Sequence, residues 1–287
     1  MMNKAINTLV FAMVDSLTKF KNKFAYYLAI FAMVIGSTFG TFNAANAATV
    51  VISSATDQSA GDDADNYQLT DDEVTVLGAA DTYASLTNKA STTVAATFDI
   101  SGDTLTITND ITSIANSSIA VTVSTGDGLK IIGSTIENNT ASFITIALEA
   151  DAVLTLSAAG TEAMAAEVDG TGAGLGILNT TFSGVITFSD EVGKTNGLAE
   201  LNIGTATDDS GAIFAETVKA TTITVLSGEA SGENSAATFA KAVTGNLVMT
   251  DGAHAASHAT VTFNGSAAAT ALSGTLTTTK TDADDTF

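Results

Sequence analysis

Two neighbouring stretches, ATFAKAVTGNLVMTDG (237–252) and ATVTFNGSAAATALSGTLTTT (259–279), decide how this chain folds. Each sets a threonine and a phenylalanine ahead of a polar spacer and a second burst of Leu, Val and Thr. The phenylalanines act as a ruler: Phe188, Phe214, Phe239, Phe263 and Phe287 stand 26, 25, 24 and 24 residues apart, and Phe143 and Phe98 lie 45 and 90 residues before Phe188. Four residues after the ruler come Val192, Val218, Val243 and Ala267, and a second strand follows at 201–203, 223–225 and 247–249. A period of this length marks stacked units. One unit holds too few apolar side chains to make a core, but parallel coils about 4.8 Å apart would set each phenylalanine over its predecessor. The expected fold is therefore all-β, a parallel β-helix of about 24-residue coils after an N-terminal signal helix. Antiparallel β-sandwich modules are the alternative; they need about 100 residues each, and no such period occurs.

Outside these stretches, bursts at 74–77, 104–108, 120–124, 143–148, 153–157, 185–188 and 221–226 alternate with Gly, Asp, Asn and Ser, as short strands joined by turns do. One segment, TEAMAAEV at 161–168, is rich in Ala and Glu and predicts a single short helix.

At the other end, Lys4, Lys19, Lys21 and Lys23 precede an uncharged run, FAYYLAIFAMVIGSTFG (24–40), and Ala45 and Ala47 then occupy the A-x-A positions that a signal peptidase reads. Cleavage between Ala47 and Ala48 is expected, making 1–47 a signal peptide. An uncleaved anchor is the competing reading, because 17 uncharged residues sit at the short edge of a bilayer span. The mature chain then reads as an acidic capping region, 48–94, and a strand-repeat solenoid, 95–287. Phe287 falls on the next beat of the register, so the array is expected to continue beyond it.

After cleavage, six lysines and no arginine face 30 acidic residues, a net charge near −24. Such a surface repels nucleic acid and anionic lipid, leaving membrane contact to the signal segment during export; it favours divalent cations and cationic polymers. Without cysteine, stability has to come from burial, hydrogen-bond ladders or bound ions. Absence of proline suits an uninterrupted ladder. Hydrophobic residues make up 45% of the chain, in β-branched bursts, which speaks against a solvated coil.

Candidate chemistry is sparse. Asp57, Asp62, Asp63, Asp65, Asp71, Asp72 and Glu73 form the densest acidic cluster and offer oxygen ligands to Ca²⁺, the one cofactor the sequence suggests. Tyr67 stands where an EF-hand starting at Asp62 needs glycine, so a solvated acidic loop competes with that reading. Asp103, Asp110, Asp127, Asp190, Asp208, Asp209 and Asp251 flank strands, where aspartate favours turns. His254 and His258 have a zinc-like spacing but lack the intervening glutamate of a metalloprotease and read as a loop. GTGAGLG (170–176) misses the dinucleotide and P-loop patterns and reads as an irregular turn. No catalytic residue is expected, and the chain does not read as an enzyme.

The segments 237–252 and 259–279 resemble β-strand-repeat surface proteins and autotransporter passenger regions of Gram-negative bacteria, especially marine and intracellular alphaproteobacteria. The likeness covers the export signal and 95–287. It implies a right-handed parallel β-helix displayed outside the outer membrane, in an adhesive, structural or surface-layer role. Its partners would be copies of itself, or host or environmental surface glycans and proteins. The C-terminal translocating barrel of such passengers is not in the sequence, which implies a fragment or another secretion route. A secreted carbohydrate-active β-helix enzyme and a calcium-stabilised surface-layer subunit are the alternatives.

Overall fold

A pleated strand sends successive side chains to opposite faces, so the Leu/Val/Ile–Thr alternation of this chain makes strands with one apolar and one polar side. In the computed structural model, the described residues are 95–279 apart from 115, 139–140, 158–159, 182–183, 208, 255 and 266–270, together with 49–52, 66–69, 75–77 and 81–88. Ala45, Ala47 and Ala48 at the expected cleavage site, the cluster Asp57, Asp62, Asp63, Asp65, Asp71, Asp72 and Glu73, and Phe287 lie outside them.

The strands wind into three sheets. Sheet I has ten strands, from Thr49–Ile52 to Ala259–Phe263; sheet II has ten, from Asp81–Tyr83 to Leu276–Thr279; sheet III has five, from Thr75–Leu77 to Glu167–Gly170. Neighbours within each sheet are parallel and one coil apart in sequence: Leu105, Leu129, Leu154 and Leu178 are successive partners at steps of 24, 25 and 24 residues. This is a parallel β-helix, and the parallel pairing rules out the sandwich. Pairing runs without a break across residue 95, because Asn66–Leu69 pairs with Ser85–Asn88, which pairs with Ile111–Ser113, while Thr75–Leu77 pairs with Ala95–Ile100.

Three ladders fill the interior. On sheet II, Leu105, Leu129, Leu154, Leu178, Leu201, Ile223 and Leu247 lie over one another, each essentially fully buried. On sheet III the ladder is Phe98, Val121, Ile146 and Val168. On sheet I it runs Leu86, Ile111, Thr135, Met164, Phe188, Phe214, Phe239 and Phe263. The last four rings stack with centroids 4.6, 5.0 and 5.6 Å apart and interplanar angles of 12°, 11° and 28°. Strand spacing dictates that separation, so the backbone ladder holds the rings in contact.

Two members of the ruler do not belong to this stack. Phe98 is buried, but on sheet III, where it pairs with Val121. Phe143 points outward and is 56% exposed. The reason is parity: Ile144, Ile146 and Leu148 take the inward positions of that strand, so its odd-numbered residues face solvent. The expected helix at 161–168 is likewise replaced by the strands Gly160–Met164 and Glu167–Gly170. Met164 and Val168 each fill a rung of a ladder already running, and that packing outweighs the intrinsic preference of Ala and Glu.

Sheet III stops at Glu167–Gly170, and beyond it Val192 alone carries the third side, bridging Val168 and Val218. Gly193 lets the coil tighten there: it has φ +73°, and a Cβ would lie 2.1 Å from the Lys219 carbonyl oxygen. From that coil on, sheets II and III merge, as the nine-residue strand Val218–Leu226 shows; it carries Val218 of one ladder and Ile223 of another, with a register shift between Lys219 and Thr222.

Truncating one ring in the middle of the stack should be costly. Phe214→Ala is expected to lower unfolding free energy by about 3–5 kcal/mol, and Phe143→Ala by less than about 0.5 kcal/mol, both read from urea midpoints. Equal losses for the two variants would contradict the assignment of Phe143 to the outside.

Candidate functional site

One line of charges runs along the corner where sheet I turns into sheet III. Two residues past each inward rung of sheet I come Glu137, Ala166, Asp190, Glu216 and Lys241, one per coil, and one residue further on stand Glu167 and Glu191. Register therefore lines carboxylates up along the axis, a consequence of repetition rather than of local sequence.

Lys194 spans two coils. Its Nζ lies 2.9 Å from Glu167 Oε2 and 3.0 Å from Glu191 Oε2, and Thr217 Oγ1 donates to Glu191 Oε1 at 3.0 Å. Lys241 sits 3.8 Å from Glu216. The Lys194 hydrogen bond holds the Glu191 carboxyl below its ordinary range, and the two carboxylates raise the Lys194 ammonium. Asp190 goes the other way. Partial burial raises its pKa, and the negative fields of Glu167, Glu216 and Glu191 add to this against the pull of Lys194. Partial burial also raises Glu137; the Ile144 amide, which donates to Glu137 Oε1 at 2.6 Å, opposes that rise, and the field of Asp190 adds to it.

Many of the acids have a different task, fastening one coil to the next. Asp127 Oδ2 accepts from the Gly102 amide at 2.9 Å, Asp110 Oδ1 from Ser134 at 2.9 Å, and Asp169 from the amides of Thr195 and Asn196 at 3.1 and 2.9 Å. Glu149 accepts from the amide and hydroxyl of Thr125 at 3.1 and 2.8 Å. These pairs lie 24 to 27 residues apart, one coil each. The turn reading of Asp103 corresponds to a bond from the Thr104 amide at 2.8 Å; buried Asp251 accepts from Ala259, eight residues on, at 2.5 Å.

His254 and His258 do not share a helix face. The Ala256 amide donates to His254 Nδ1 at 3.1 Å, and the His258 amide donates to Asn234 Oδ1 at 2.7 Å, in a tight turn closed by the Ser257 amide donating to the His254 carbonyl at 2.9 Å. Among the described residues, no three of His, Asp and Glu are placed to hold a metal ion. In GTGAGLG the Thr171 amide donates to the Leu148 carbonyl at 2.9 Å and the Gly174 amide to that of Gly197 at 2.7 Å. Gly176 has φ +79°, and a Cβ there would lie 2.3 Å from Leu148 Cβ. The loop packs against the end of sheet III as an irregular turn.

A cleft of about 540 Å³ is lined by Met249, Asp251, His258, Val261 and Leu276 among others. Two smaller hollows, of about 280 and 270 Å³, lie near Gly197 and near Asn202. Comparison with protein-family models, with curated proteins and with solved structures gave no match.

The raised pKa of Asp190 sets a sign for pH dependence. A carboxyl that holds its proton more tightly in the folded chain destabilises it once ionised. The contribution of Asp190 to stability should therefore fall as pH rises from the ordinary aspartate value, about 4, through the folded value, opposite in sign to that of Glu191. Asp190→Asn should unfold at a higher urea concentration than wild type at pH 7, with the gap closing below about pH 4. A gap of the same size at both pH values would show that the field of the corner is not its cause.

Proposed function

We propose that the chain is an exported cell-surface repeat protein whose β-helix has a structural or adhesive role. The observation that carries this reading is the ladder itself: repeated coils build long outer faces in fixed register, which suits display and lateral contact. The basic flank, apolar run and Ala45-Asn46-Ala47 sequence support delivery across a membrane. Strong acidity supports a role away from nucleic acid and anionic lipid. The resemblance of 237–252 and 259–279 to autotransporter passenger regions points the same way.

Expression in a Gram-negative host tests the reading. The mature N-terminus should be Ala48, the solenoid should be reachable by protease added to intact cells, and Ala47→Arg should leave the precursor unprocessed. An uncleaved protein shielded from protease in the cytoplasm would end it.

A further inference from the structure

Charge is distributed unevenly over the three outer faces. The outward positions of sheet III include Asp99, Glu167 and Asp169, and those of sheet II include Lys130 and Glu200. Over the five sheet I strands from Gly160–Met164 to Ala259–Phe263, together with the residue that follows each, the outward positions carry no charge at all. Their central row is Ala163, Thr187, Ile213, Thr238 and Thr262, and the rows on either side hold only Thr, Val, Gly, Ala, Ser and Asn. Glu162, the one acid in these strands, lies in the inward row beside Ile186, and its Oε2 accepts from Ser134 Oγ at 2.5 Å. Val185 and Ile213 stand 37% and 38% exposed on the outward grid.

We infer that this outer face of sheet I is a self-association surface, on which two copies of the chain pack face to face with Val185 and Ile213 near the centre. The argument is electrostatic. With ten basic and 31 acidic residues, two copies brought together by most of their surface meet like charge. The uncharged grid is where a second copy approaches without that penalty, and flat sheet faces of small residues pack about 10 Å apart. Asp190, Glu191 and Glu216 border the grid, so repulsion at the rim weakens the pair and salt relieves it. At about 4.8 Å by about 7 Å per position, the grid covers a few hundred Å², below the roughly 800 Å² per partner of a stable complex. Association is therefore weak for one pair and shows itself where copies are crowded. The inference names a partner for the structural reading above and rests on it only for its biological setting.

Sedimentation equilibrium of the purified mature chain, with chelator present, provides the test. Wild type should self-associate as concentration rises, more strongly in 0.5 M than in 0.05 M NaCl. Ile213→Glu should weaken association at least about tenfold by setting like charges opposite one another, while Thr224→Glu, on the outer face of sheet II, should leave it unchanged. Urea midpoints close to wild type for both variants would verify that the fold is kept. Should Ile213→Glu prove unfolded, Thr187→Glu on the same row serves instead. Wild type that stays monomeric at the highest concentration, or a grid variant that associates like wild type, would overturn the inference. So would a monomer that instead binds an insoluble neutral polysaccharide through this face. A negative result leaves the export reading intact, because purified protein reports nothing on delivery, and a cytoplasmic precursor would sink that reading without touching this one.

Discussion

Parallel pairing of each strand with the strand one coil away is the constraint from which the rest follows. It fixes a spacing of about 4.8 Å between equivalent residues, and that distance is close to the one at which aromatic rings stack and aliphatic side chains touch. A residue type that suits one coil therefore suits the next, and the ladders of leucine on sheet II and phenylalanine on sheet I are its result. Polar residues obey the same rule. Thr180 interrupts the sheet II rung between Leu156 and Ile203, and Ser210 Oγ donates to its hydroxyl at 3.0 Å from the adjoining turn, so the interior break is satisfied locally.

How much of this could be read in the sequence depends on whether a feature repeats. The fold class, the 24-residue beat and most strand positions were legible, because Phe188, Phe214, Phe239 and Phe263 recur on one face with nothing to disturb their phase. Extending that ruler backward failed at Phe143, since counting periods ignores parity; the alternation Ile144, Ile146, Leu148 was the signal that would have turned it outward. Sheet I continues through Met164 and Thr135, residues too unlike phenylalanine to be recognised as rungs. Residues 161–168 are strand rather than helix for a related reason: the neighbours above and below recruit Met164 and Val168 against the local propensity of Ala and Glu.

The acids show a further limit. As turn residues, Asp110 and Asp127 were visible from their flanking strands, but that their carboxylates clamp amides one coil away, Ser134 in the next coil and Gly102 in the preceding one, follows only from the register. A carboxylate one period from a turn amide would have been the clue. The corner of Glu137, Asp190, Glu216 and Glu191 is likewise scattered over some 80 residues of sequence and assembled by winding. Like charges stacked this way cost stability when ionised, and Lys194 offsets part of that cost by spanning Glu167 and Glu191.

The near-constant step between partners also governs the order in which the structure forms. Each coil needs only the coil before it, so the sequence distance to be closed at any moment is about two dozen residues however long the array becomes. Folding can thus advance turn by turn from any coil already formed, each new rung covering the apolar edge that the last one left open.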